Sequence, residues 1–129
     1  KKKNLNIFGK KFNFFNINNS LKIPNNSAIL TYGALEQVGT EHKKFINFLI
    51  KKKPKICVHV ECMNEMYDVK NKVDNLGHRY HLQRGYLKDF LKNLLKLQKI
   101  KKIKILKVKR LYFGSYYQEV YNYVIWQPL

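Results

Sequence analysis

The chain has 129 residues and a hydrophobic fraction of 45%, enough for one domain with a packed core, and these values exclude a disordered chain. Its formal net charge of +18 points first to a nucleic-acid or anionic membrane partner. However, only three of the 26 basic residues are arginine, the residue that bidentate phosphate and base recognition favours. We therefore expect a generally solvated lysine surface and no nucleic-acid partner.

The two cysteines, Cys57 and Cys62, lie five residues apart around one predicted strand end. An odd separation points their side chains to opposite faces of an extended strand, so we expect neither a disulfide nor a shared metal. Free cysteines favour a reducing compartment, and we expect a cytoplasmic protein. The sequence contains no signal peptide and no apolar run of the length that spans a membrane.

The first half predicts two strands and a helix. Phe12 to Ile17 alternates apolar and polar residues, which predicts a short strand. Ser27 to Thr31 is a short apolar run bounded by turn residues, which is typical of a buried strand in a parallel sheet. A helix is predicted from Thr40, its N-cap, to Lys53, because Pro54 prevents its continuation.

The second half predicts a strand over Lys55 to Glu61, with apolar residues on both faces, as in a buried parallel strand. Met63 to Gly77 is polar and irregular and predicts a functional loop. His78 to Lys99 predicts one long helix, since its apolar residues recur at helical spacing. Two closing strands follow, Ile103 to Phe113 and Tyr121 to Gln127.

The alternation of strands and helices predicts an α/β fold with a mostly parallel sheet. The last two strands are joined by a short connection, which predicts an antiparallel pair at the end of the chain. We expect a single domain over residues 1–129.

Directly after the Ser27–Thr31 strand, residues 34–39 read Ala-Leu-Glu-Gln-Val-Gly. This stretch resembles the L-E-H-[VI] signature that follows the fourth strand in class I S-adenosylmethionine-dependent methyltransferases, with Gln37 in the place of the histidine. The element order over residues 12–129 is also similar to the second half of that family's Rossmann-like sheet, which ends in an antiparallel hairpin. The resemblance implies methyl transfer from S-adenosylmethionine to an oxygen or nitrogen of a small-molecule acceptor, such as a sugar.

The resemblance also implies which residues lie near the cofactor. In the family, the loop after the fourth strand runs past the sulfonium and the transferred methyl group, and the third strand ends near the adenine. Gln37 can form hydrogen bonds but cannot titrate, so an acid–base role of the family's histidine does not carry over. The residues expected beside the cofactor are Thr31, Tyr32, Gly33, Ala34, Gln37 and Phe14.

For the acceptor, Glu61 falls at the carboxyl end of its strand, where catalytic groups gather in open α/β sheets. A carboxylate there can orient or deprotonate a hydroxyl or amine, so Glu61 is the expected catalytic residue. Tyr67, His81 and Arg84 are expected to bind the acceptor, with Arg84 contacting a phosphate or carboxylate at a helix start. A solvated first helical turn is the alternative for this cluster. No residue spacing indicates a metal site.

The glycine-rich G-x-G-x-G loop and the ribose-binding acid of the family have no counterpart in the chain, which begins with Lys1. We therefore expect the C-terminal portion of a methyltransferase domain, whose N-terminal half is missing. The alternative is a small basic RNA-binding or ribosome-associated α/β protein, in which aromatic side chains stack on bases. The aromatic residues of that alternative are Tyr112, Phe113, Tyr116, Tyr117, Tyr121 and Tyr123.

Overall fold

The computed structural model describes residues 6–24, 26–115, 118–119 and 122–129. Among these residues, two single-turn 3₁₀ helices, Glu36–Val38 and Asn64–Met66, follow the first two strands. The strands and α-helices, in chain order, are β1 (Ala28–Tyr32), α1 (His42–Lys52), β2 (Ile56–Val60), α2 (Lys72–Arg84), α3 (Phe90–Lys99), β3 (Ile103–Lys109), β4 (Gly114–Ser115), β5 (Gln118–Glu119) and β6 (Tyr123–Pro128).

The fold is α/β, with a four-stranded mixed sheet in the order β1-β2-β6-β3 and a separate β4–β5 pair. β1 and β2 pair in parallel, with Leu30 opposite Val58 and Thr31 opposite His59, so both runs form the parallel strands that the sequence predicts. β6 lies between β2 and β3 and is antiparallel to both, so the predicted antiparallel end of the sheet is also confirmed. Because β6 is inserted there, one strand pair of this sheet is parallel and two are antiparallel, and the sheet is not mostly parallel as predicted.

One face of the sheet, which we call the covered face, packs against α1 and α3. Its central side chain is His59 of β2, whose ring stacks on Trp126 of β6 at 6.0 Å between centroids. The ring of Phe90, at the start of α3, lies edge-on to the His59 ring at 5.3 Å between centroids. The ring of Phe45 of α1 also lies edge-on to the His59 ring, at 6.2 Å. His59, Trp126 and Phe90 are fully buried, so the hydrophobic core lies between this face and the two helices.

The helix predicted from Thr40 to Lys53 is confirmed as α1. The helix ends where Lys53 adopts the left-handed conformation and its N–H donates to the carbonyl of Leu49. At its start, Glu41 is the N-cap and makes no side-chain capping bond, so the predicted capping by Thr40 is not formed.

The opposite face of the sheet, which we call the open face, carries the alternate residues of the same strands. Leu30 and Tyr32 of β1 are 67% and 59% exposed, and the neighbouring Val58 and Val60 of β2 are only half-buried. Ile125 of β6 lies opposite Val58 and extends the apolar surface across three strands. The open face is therefore an apolar surface that α1 and α3 do not cover.

The strand predicted near the start of the chain is wrong. Phe12 to Ile17 forms no strand, because the Asn13 side chain accepts the backbone N–H of Phe15 at 2.9 Å and bends the chain. Phe12 and Phe14 instead pack edge-to-face on Phe45, at 5.6 and 5.0 Å. Their apolar pattern reports packing on α1 and not strand pairing.

The predicted loop over 63–77 and the predicted single helix over 78–99 are also wrong. α2 already begins at Lys72, because the Asn71 side chain accepts the N–H groups of Val73 and Asp74. It ends at Gly85, which adopts the left-handed conformation with φ of +64° and separates α2 from α3. β3 ends at Lys109, short of the predicted Phe113, and the predicted first residue of the last strand, Tyr121, lies outside the described residues.

Candidate functional site at the carboxyl edge of the sheet

The carboxyl ends of β1, β2 and β3 meet at one edge of the sheet, which we call the carboxyl edge. After β1 the chain turns at Gly33, which has a φ of +55° and donates its N–H to the carbonyl of Val60 at 3.0 Å. Nothing lies within 4 Å of the position that a Cβ would occupy at Gly33, so the glycine is required by its backbone conformation and not by a close contact.

Glu61 holds this turn in place from the end of β2. Its carboxylate accepts the backbone N–H groups of Ala34 at 3.3 Å and Leu35 at 3.1 Å. The side chain is fully buried, and burial raises its pKa, while hydrogen bonds from Thr31, Leu35 and Ala34 act in the opposite direction. Glu61 therefore lies at the carboxyl end of β2, as the sequence predicts, but its side chain is buried against the turn and does not open into a cleft. It positions the turn.

Thr31 and Tyr32 point to opposite faces of β1, as successive strand residues do. The Thr31 hydroxyl lies 2.8 Å from Nδ1 of His59 on the covered face, and only 6% of the residue is exposed. The Thr31 side chain is therefore engaged on the covered face, and only its backbone lies next to the turn. Burial lowers the pKa of His59 to about 3, so this ring is a neutral core residue.

The remaining residues expected beside a cofactor lie in two different places. Ala34 and Gln37 are exposed next to the turn, on either side of the buried Leu35. Phe14 is not at the turn, because its ring packs on Phe45 of α1. The structure therefore brings together Tyr32, Gly33, Ala34 and Gln37 at the carboxyl edge, whereas the partly buried Phe14 packs against the core beside α1.

Tyr67 and His81, both expected to bind the acceptor, are brought together. The Tyr67 hydroxyl accepts the N–H of Glu119 at 2.9 Å and lies 3.3 Å from Nε2 of His81. Burial raises the pKa of Tyr67 to about 12 and lowers the pKa of His81 to about 4, so both are neutral near pH 7. Arg84 does not join them. It is the last residue of α2, not a helix-start residue, and its guanidinium lies 5.6 Å from the half-buried Tyr86 ring.

The sequence analysis missed Arg110, which follows β3 at the carboxyl edge. Its guanidinium donates to both carboxylate oxygens of Asp74 at 2.6 and 2.7 Å and to both of Glu119 at 2.7 and 2.8 Å. A further bond at 2.9 Å reaches the carbonyl of Met66, so every N–H of the fork is engaged. The rings of Tyr67 and Tyr112 lie 5.2 and 4.4 Å from the guanidinium carbon. The sequence feature that could have drawn attention to Arg110 is the scarcity of arginine in a lysine-rich chain.

Two cavities open on this side of the molecule. The Arg110 cavity, of about 630 Å³, is lined by Asp68, Asp74, Arg110, Tyr112 and Glu119 among others. The His81 cavity, of about 330 Å³, lies between the segment after β1, the segment after β2 and the end of α2. Both are large enough for a small polar molecule or part of one.

Comparison with protein-family models, curated proteins and solved structures gives no match to this chain. Within the described ranges, no helix has both the length and the apolar character needed to cross a membrane. The same residues contain no group of three side chains that could hold a metal ion, and among them the two buried cysteines, Cys57 and Cys62, form no disulfide.

Proposed function

We propose that this chain is the acceptor-side half of an S-adenosylmethionine-dependent methyltransferase domain of the Rossmann-like type, which methylates an oxygen or nitrogen of a small polar molecule. The observation that carries the proposal is the turn after β1. It lies at the carboxyl edge of a parallel strand pair, is pinned by buried Glu61, and leads directly into the Leu35–Val38 motif. Ligands bind at this edge in open α/β sheets.

S-adenosylmethionine would supply an electrophilic methyl group, so the protein's contribution is mainly proximity and alignment. One wall of the cofactor site would be formed by Tyr32, Gly33, Ala34 and Gln37, and the left-handed conformation of Gly33 would set the direction of the chain along it. Glu61 would keep this wall rigid and would not exchange a proton with the acceptor. The acceptor would bind in the cavities beside Tyr67 and His81.

The rest of the cofactor site would come from an N-terminal half of the domain, on the same polypeptide or on a partner. The open face supports this part of the proposal. β2 is apolar on both faces, which is typical of strands buried on both sides, yet Leu30 and Tyr32 beside it remain exposed. A second helical layer over Leu30, Val58 and Ile125 would complete an α/β sandwich.

Calorimetry with S-adenosylmethionine tests the proposal on two proteins, the 129-residue chain and the product of the complete gene. We expect micromolar binding by the second protein and no measurable binding by the first, since one wall alone cannot hold the cofactor. A second measurement follows tritium transfer from labelled cofactor to a panel of sugars and amines. Micromolar binding by the 129-residue chain, or none by the complete protein, would refute the proposal.

The RNA-binding alternative retains one favourable observation. Tyr112 and Phe113 are 76% and 62% exposed in a chain of formal charge +18. Tyr116, Tyr117 and Tyr121 of the aromatic series lie outside the described residues. A nucleic-acid binder loses affinity steeply as salt is raised, so electrophoretic mobility shifts with single-stranded RNA at low and physiological salt separate the two functions. We expect no shift at physiological salt.

A further inference from the structure

We propose that the open face of the sheet binds an amphipathic helix that carries a row of carboxylates along its flank over β3. The apolar side chains of the open face lie on β1, β2 and β6, and a row of lysines borders them on β3. The chemistry of this helix is read from the open face alone. Its source, the N-terminal half of the domain, rests on the proposed function, since that half would supply the second helical layer.

The lysine row lies on the edge strand β3. The open-face residues of β6 stand opposite three exposed lysines, Lys104, Lys107 and Lys109. A bulge shifts the register before Lys107, so that this lysine and not Leu106 pairs with Ile125. The Lys107 ammonium group lies 5.9 Å from the centre of the Tyr123 ring. Because Tyr123 and Ile125 alternate with the buried residues of β6, the lysine row belongs to the open face.

The sheet supplies no counter-charge for the lysine row. None of the residues of β1, β2, β3 and β6 is acidic. Within the described ranges, the cations that form ion pairs are Lys44, Lys92 and Arg110. The three ammonium groups of the row are therefore available to carboxylates of a partner, and they lie next to an apolar surface that such a partner would cover.

The spacing of the lysine row matches one flank of an α-helix. The partners of the three lysines on β6 are two residues apart, which is about 6.8 Å along a strand. Carboxylates at positions i, i+4 and i+8 of a helix recur about every 6 Å along its axis. Neighbouring strands are about 4.8 Å apart, so a helix of about 5 Å radius lying along β2 and β6 reaches over β3 with one flank. The apolar side of that helix would contact Leu30, Val58 and Ile125.

A second copy of this chain fits only part of the open face. It can cover the apolar side chains, but it brings the same lysine row and a formal net charge of +18. Repulsion between the two charges opposes that pairing. An anionic bilayer is also a poorer fit, because Val58 and Ile125 at the centre of the face are half-buried and do not protrude for insertion. An acidic amphipathic helix satisfies both the apolar surface and the lysine row.

The test measures the binding of a designed peptide to the 129-residue chain by calorimetry. The glutamate peptide is a stapled helix of about 20 residues, with leucines along one side and glutamates at i, i+4 and i+8 on the adjoining flank. The control peptide carries glutamine at these three positions. We expect a Kd on the order of 10 μM for the glutamate peptide and about 10-fold weaker binding of the glutamine peptide. Raising the salt concentration from about 50 mM to about 500 mM should remove most of this difference.

Matched variants of the chain locate the bound peptide. The triple variant Lys104→Gln, Lys107→Gln, Lys109→Gln should weaken binding of the glutamate peptide by about 10-fold and leave binding of the glutamine peptide unchanged.

The control triple variant makes the same change in net charge on α1 and α3, at the exposed lysines Lys43, Lys96 and Lys99. It should change either affinity by less than about 2-fold. Leu30→Ser should weaken the binding of both peptides by about 5-fold, whereas Leu95→Ser on α3 should weaken neither. All the replaced side chains are exposed, so we expect the variants to keep the fold of the unmodified chain.

Three results would overturn the inference: equal affinity for the two peptides, equal effects of the two triple variants, or unchanged binding by Leu30→Ser. Co-sedimentation with phosphatidylserine vesicles at physiological salt, lost in Leu30→Ser, would instead assign the open face to a membrane. The product of the complete gene should not bind the glutamate peptide, because its own helix covers the face, and binding would overturn the assigned source. S-adenosylmethionine binding by that protein reports on the proposed function separately.

Discussion

Replacing Arg110 by methionine should be among the most damaging single changes in the described part of the chain. Arg110, Asp74 and Glu119 have side chains that are 11%, 14% and 13% exposed, and one guanidinium joins both carboxylates. It also ties them to the backbone after β2 through the carbonyl of Met66. Methionine fills a similar volume but leaves two nearly buried carboxylates facing each other without a cation.

Removing one partner of a buried ion pair costs about 3–5 kcal/mol, because the remaining charge is left uncompensated. Here two carboxylates lose their partner, although residual solvent at 13–14% exposure moderates the penalty. We therefore expect the free energy of unfolding of Arg110→Met to fall by about 3–5 kcal/mol. The free energy of unfolding of Arg110→Lys should lie between those of the unmodified chain and Arg110→Met, since an ammonium group supplies the charge but not the planar fork of the guanidinium.

Urea unfolding followed by far-ultraviolet circular dichroism measures the effect. The matched control is Arg84→Met, because Arg84 is exposed at the end of α2, and its unfolding midpoint should not change. The triple variant Arg110→Met, Asp74→Asn, Glu119→Gln should recover part of the loss, since the uncompensated charges are gone. A loss below about 1 kcal/mol for Arg110→Met, or no recovery in the triple variant, would refute the reasoning.

Three further predictions follow from the site. Glu61→Gln should loosen the turn after β1, because an amide presents one acceptor oxygen where the carboxylate presents two. Hydrogen exchange of the Ala34 and Leu35 backbone amides should then become about 10-fold faster, whereas the control Glu36→Gln should leave it unchanged. An unchanged exchange rate in Glu61→Gln would contradict the positioning role of Glu61. Stability should fall as the pH is lowered from about 6.5 towards 4, because the unfolded chain takes up protons at its ordinary histidine pKa while His81 and His59, with pKa values of about 4 and 3, do not. Each histidine lowers the free energy of unfolding by about 3 kcal/mol over this range, and the raised pKa of Glu61 offsets part of that loss. In thermal melts recorded across the pH range, the stability of His81→Asn should fall less steeply than that of the unmodified chain. We expect the apolar open face to cause self-association of the 129-residue chain, and Leu30→Lys on that face should reduce it in analytical ultracentrifugation. Leu95→Lys, at an exposed position on α3, should not reduce it. Equal effects of the two variants would show that the chain does not associate through the open face.

The parts of the fold that the sequence predicts are those set by local pattern. β1 and β2 are short apolar runs between turn residues, and α1 ends at Lys53 because Pro54 follows. The errors arise where one local signal outweighed another. Asn71 with Asp74 three residues later is a helix-start signal inside a stretch whose polarity suggested a loop. Gly85 ended α2 although the apolar spacing continued past it.

The candidate site was predictable in position but not in side-chain orientation. Strand ends mark the carboxyl edge, so Glu61 and the Tyr32–Gly33 turn could be placed there from the sequence. Whether Glu61 faces solvent or the Ala34 and Leu35 N–H groups depends on how the turn folds back, which no local pattern specifies. The Arg110 network joins residues 36 and 9 positions apart along the chain, so only the tertiary structure reveals it.

The fork of Arg110 also sets which cation this position can hold. Lysine supplies most of the positive charge of the chain, and at exposed positions an ion pair made by either cation contributes little to stability. At position 110 the two cations are not interchangeable, because one side chain must reach two carboxylates and a carbonyl in a single plane, which a tetrahedral ammonium group cannot do. The single arginine of this network therefore fixes the spacing of three chain segments: the one after β2, the start of α2 and the one around β5.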